Sequence, residues 1–106
     1  MTNNLNSVIL EGTVTTVAKA DDQISFCLSV VRYCRAGEEV IREESVFTVV
    51  AYDRLAEVNR NIVEVGKVLR VVGRLRTVQY MAYPFPMVEL YAEHIEEKPG
   101  SVPEEK

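Results

Sequence analysis

A chain of 106 residues, 47% hydrophobic and 26% charged, can hold one modest core and has no length to spare for a second. No apolar run approaches the roughly eighteen residues of a membrane span, and MTNNLNSVIL lacks the basic start and apolar stretch of a secretory signal, so a cytoplasmic protein without membrane contact is expected. The net charge of −4 is concentrated at one end, because residues 91–106 carry five glutamates against two lysines, or −3, which leaves −1 for the body; local placement then decides what the surface attracts.

β-branched and aromatic residues recur with period two in several runs, the signature of strands. The first run spans residues 5–17, with Val8, Leu10, Gly12 and Val14 on one side, and residues 19–22 (KADD) read as a turn. The second spans residues 23–33, where Ile24, Phe26 and Leu28 make an apolar face, and residues 35–39 (RAGEE) form a hairpin tip. The third spans residues 40–52 and is bulky at nearly every position from Val46 to Tyr52, as in a strand covered on both faces.

One helical stretch follows over residues 53–63: Asp53 suits an N-cap, Leu55, Val58 and Ile62 recur at helical spacing, and Gly66 lies just past the end. A fourth strand is expected over residues 67–80, a proline-broken loop (MAYPFP) over 81–86, and a fifth strand over 87–95. Residues 1–96 are assigned to the domain and 97–106 to a short flexible tail. Three strands, a helix, then two strands is the order of an OB-fold, an all-β, five-stranded Greek-key barrel with its helix between strands three and four. Val71 and Leu75 are expected to join Ile24, Phe26 and Leu28 in its core, with Leu55, Val58 and Ile62 packed from the helix.

The fourth run, LRVVGRLRTVQY, carries the chemistry. Side chains two apart on a strand share a face, so Arg70, Val72, Arg74, Arg76, Val78 and Tyr80 look one way, while Leu69, Val71, Gly73, Leu75 and Thr77 look the other. Alternating guanidinium and aromatic groups suit an unpaired nucleic-acid strand, which exposes phosphates and the flat faces of its bases. The competing reading of this strand alone is a solvated face with an edge tyrosine. Elsewhere the sequence carries no cofactor signature. Cys27 and Cys34 match no zinc or redox spacing and read as free thiols, and His94 reads as a surface residue outside any catalytic or metal arrangement. An enzyme is therefore not expected.

Three segments, NSVILEG from Asn6, VVAYDRLAE from Val49 and GKVLRVVGRLRT from Gly66, resemble in order and spacing the core segments of the bacterial single-stranded DNA-binding proteins. The resemblance implies a barrel over which DNA wraps, with aromatics stacking on bases and basic residues tracking phosphates. Carried over by position, it implies base stacking at Tyr33, Tyr52 and Tyr80, by the ring and not the hydroxyl, and phosphate contacts at Lys67, Arg74 and Arg76. Arg70 shares the face of Arg74, and Arg35 stands in the hairpin with Arg42 against Glu38, Glu39, Glu43 and Glu44. It further implies a homo-oligomer, tetramer or dimer, serving replication, recombination or repair and meeting proteins of those processes.

The sequence departs from that family in three places. Val46 stands where an aromatic is common, with Phe47 next to it and of opposite parity. Tryptophan is absent, which lowers the stacking surface. The chain stops without the long acidic, hydrophobic tip of many members, which leaves open a trimmed chain or a short relative resembling the primosomal replication proteins. An OB-fold protein-interaction module with little DNA binding is the alternative, favoured by the glutamates of the hairpin.

Overall fold

The alternation of β-branched and polar residues resolves into five strands and one helix in the computed structural model, which describes residues 1–98. In chain order these are β1 (Val8–Lys19), β2 (Gln23–Ala36), β3 (Glu39–Tyr52), α1 (Asp53–Val58), β4 (Val68–Val78) and β5 (Met87–Glu97). The strands close into a barrel in the order β1-β2-β3-β5-β4, the expected OB-fold. Neighbours run antiparallel except β3 and β5, which meet in parallel at Val49↔Leu90 and Val50↔Tyr91. β1 serves two partners: residues 8–13 pair with β4 and residues 13–19 with β2, and a bulge at Thr15 turns the strand toward the second.

The inward parity of β2 is as the sequence indicates. Ile24, Phe26 and Leu28 meet Val49, Ala51, Leu69, Val71, Leu90 and Ala92, each at most 3% exposed. Ala56 and Val63 join this core, with Leu55 and Ile62 packed partly against it. Two expected core residues are not in it. Val58 is 59% exposed, since it lies about 200° round the helix from buried Ala56. Leu75 is 43% exposed, because β1 begins opposite Gly73 and no longer covers the rim beyond it.

The helix is shorter than its apolar spacing suggests. It ends at Val58, where the Asn59 backbone N–H and side-chain amide both donate to the Leu55 carbonyl and divert the chain into turns. Asp53 is not the N-cap: Tyr52 holds that position, and Asp53 opens the helix with φ 53°, a left-handed conformation that Asp tolerates better than most residues. β5 runs past the expected end to Glu97, opposite Leu69. The expected tail from residue 99 onward lies outside the described residues. Cys27 and Cys34 are free, and among the described residues no helix is long and apolar enough to cross a membrane.

Candidate nucleic-acid interface

The outer face of β4 and β5 is set by an irregularity in their ladder. Val72 pairs with His94, but the next residue, Gly73, pairs with Ala92, so Glu93 is an extra residue bulged out of β5. This changes the strand's phase: Ile95 and Ala92 both point into the core, while Tyr91 and Glu93 stand outside. Only glycine fits opposite the bulge, since a Cβ at position 73 would lie 2.1 Å from the Tyr91 carbonyl oxygen.

A cluster of arginine and tyrosine forms on that face. The rings of Tyr52, at the end of β3, and Tyr91 stack with centroids 5.5 Å apart. The Arg74 guanidinium lies 4.4 Å from the Tyr91 centroid, and that of Arg76 lies 5.0 Å from both rings. Arg76 donates to the Tyr52 hydroxyl and sits 3.6 Å from Glu89, whose carboxylate also accepts the Tyr80 hydroxyl. Glu89 is only 5% exposed, so these partners hold a buried charge in place.

The protonation states follow from the same contacts. Burial works against the Arg76 cation, but the Tyr52 hydroxyl and Glu89 outweigh it and raise its pKa. The hydrogen bond to Glu89, aided by burial, raises that of Tyr80 above 10.0. The Tyr80 hydroxyl therefore has a structural task that the sequence did not suggest.

The structure thus brings together Tyr52, Arg74, Arg76 and Tyr80, and adds Tyr91 and Glu89. Tyr91 matched no family position, and its parity in a straight strand is that of buried Ile95, so only the bulge reveals it. Tyr33 and Arg35 lie elsewhere. The unbroken β2–β3 register sets Tyr33 opposite Arg42, on the same side of the ribbon as Tyr52 but roughly 33 Å along it. That side is open at Tyr33, which is 66% exposed. Val46 and Phe47 keep opposite parities, and Phe47 faces Leu28 across the ladder. Arg70 points outward with Arg74 but bonds Glu11 at 3.0 Å, and Lys67 bonds Glu97 at 2.9 Å. Near Tyr80, the β4–β5 loop exposes Tyr83 and Phe85, aromatics that the proline pattern had marked only as loop.

The hairpin's acids are partly answered: Glu44 accepts from Arg42 and from the Ser29 hydroxyl, and the Ser29 bond, then Arg42, lower its pKa. His94 is exposed, 3.1 Å from Glu96. Among the described residues, no group of three or more His, Cys, Asp or Glu is placed to hold a metal ion.

Residues 5–94 match the model of the single-strand binding protein family. No curated protein sequence matches the chain significantly. Among solved structures, the small single-stranded DNA-binding protein from Streptomyces coelicolor superposes with a TM-score of 0.75 at 23% identity, over 92% of this chain and 96% of that one. The Plasmodium falciparum SSB, in complex with ssDNA, gives 0.76 at 18% identity, over 92% and 98%. A deletion mutant of the Thermus aquaticus single-stranded DNA binding protein gives 0.76 at 23% identity, over 91% of this chain and 51% of that one. At these identities the likeness supports the fold.

Proposed function

The chain belongs to the single-strand binding protein family, and from that membership we propose that it binds single-stranded DNA with little sequence specificity, as a binding protein and not an enzyme. The observation that carries this reading is the outward cluster of Tyr52, Tyr91, Arg74 and Arg76, where flat rings and guanidinium planes share one surface. Such a surface takes bases by stacking and phosphates by charge without reading base edges. The strand follows the outer face from Tyr80 across the cluster toward Tyr33, with Arg35, Arg70 and Lys67 at the margins. A dimer or tetramer would align several such faces along one strand, in the cytoplasm, during replication, recombination or repair. Proteins of those processes are its expected partners.

Titration with oligo(dT), repeated at rising salt, tests the proposal. Binding weakens as salt rises, since phosphate contacts release counterions. Tyr80→Ala weakens binding by about ten- to a hundredfold, from the loss of one base-stacking platform. If Tyr33→Ala, Tyr52→Ala and Tyr80→Ala all stay folded and bind like the parent, the stacking reading fails. A second reading, a protein-interaction module, then takes its place; its support is the hairpin that exposes Val40, Ile41 and Val46 among its glutamates.

A further inference from the structure

The four candidate cations on and just before β4 are all paired with carboxylates, Glu11 being shared between Arg70 and Lys98. Lys67 lies 2.9 Å from Glu97, Arg70 3.0 Å from Glu11, Arg74 2.8 Å from Glu93 and Arg76 3.6 Å from Glu89. The guanidinium groups of this face are therefore ion-paired rather than free. The two pairs in the aromatic cluster differ in kind. Glu89 is buried and also held by Tyr80, so it is a fixed counter-ion. Glu93 is about half exposed, as is Arg74, and the β5 bulge projects it into solvent beside the open hollow lined by Asn3, Asn4 and Asn6. It can swing away.

We propose that Glu93 is a displaceable stand-in for phosphate on Arg74, and that it makes this face select strands offering exposed bases over polyanions that offer charge alone. The inference rests on the nucleic-acid reading above and deepens it. A phosphate reaching Arg74 replaces one anion with another, so the exchange gains little electrostatic free energy and releases few counterions. A ligand with unpaired bases adds stacking on the neighbouring rings and binds; a polyanion without bases has nothing to add and is refused. The bulge is what places the competitor, since in an unbulged strand position 93 would share the inward side of Ile95.

The experiment compares the full chain, Glu93→Gln and Glu64→Gln, titrating each with fluorescent oligo(dT) and competing with long-chain inorganic polyphosphate. Glu64 is exposed in the loop between α1 and β4, outside the β4–β5 ladder, and Arg74 pairs with Glu93 instead, so Glu64→Gln reproduces the change in net charge without freeing Arg74. Glu93→Gln is expected to bind oligo(dT) about two- to fivefold more tightly. Its salt slope should steepen by about 0.7, the increment for one added phosphate contact on a single strand. It should also become sensitive to polyphosphate, which the parent and Glu64→Gln resist. If Glu93→Gln behaves as Glu64→Gln does, or binds more weakly than the parent, the competitor role is overturned while DNA binding stands. If the parent and both variants all fail to bind oligo(dT), the functional reading fails, and with it this inference.

Discussion

At the scale of single residues, Arg74 and Arg76 part company although they share a strand face. Arg76 lies against both stacked rings and next to a buried carboxylate, so Arg76→Ala should lower stability by about 1.5–3 kcal/mol, the range for losing a hydrogen bond to a charged group. Arg74→Ala breaks a half-exposed pair and should stay within about 0.5 kcal/mol of the parent. Urea unfolding of both variants checks the contrast, and equal midpoints would refute it. Tyr80 adds a pH test. Its folded pKa is raised, so the neutral phenol is the form that folding favours; its contribution is full below pH 10 and is lost as pH rises through the folded value. Ultraviolet titration should show a tyrosine that ionises later than an ordinary phenol, and Tyr80→Phe should remove it. The parity of residues 70–76 made these arginines legible in the sequence, whereas β4 ends at Val78, short of the expected residue 80, so Tyr80 reaches the face from just beyond the strand. Their glutamate partners were not legible, because Glu89 and Glu93 lie on another strand and meet them only through the ladder.

At the scale of elements, the strands were readable because β-branched and aromatic residues gather in each run, whether alternating as in β2 or continuous as at the end of β3, and α1 was overdrawn because its apolar spacing continues where hydrogen bonding does not. The β5 bulge left no signal of its own. A single extra residue inverts the phase of everything beyond it, so Tyr91 and Ile95 share a parity yet face opposite ways. Two changes test this account. Gly73→Ala drives a methyl into the Tyr91 carbonyl and should cost roughly 3 kcal/mol. Deleting Glu93 restores a regular ladder while Ala92 and Ile95 remain inward, so in that background Gly73→Ala should cost markedly less. Denaturation of the two single variants and the double variant measures the coupling, and strict additivity would count against the bulge as the reason for glycine.

For the molecule as a whole, the core rests on β2, and Phe26→Ala should cost about 3–5 kcal/mol by urea denaturation; a loss near zero would contradict its burial. The order of elements and this inward face were legible from local pattern, whereas the pairing of the outer-face arginines with glutamates depends on residues far apart in sequence. Barrel closure is non-local in the same sense. β3 and β5 meet in parallel at two pairs about forty residues apart in sequence, a junction that is entropically costly to form and short once formed. Tyr52 and Tyr91 stack across that junction, and Arg76 touches both rings. The ring should therefore breathe at this seam, with amides around Val50 and Tyr91 exchanging their hydrogens sooner than those of the β2–β3 ladder. A DNA strand lying over the tyrosines would act as a clasp, slowing that exchange and raising the melting temperature by closing the barrel more firmly than its own backbone does.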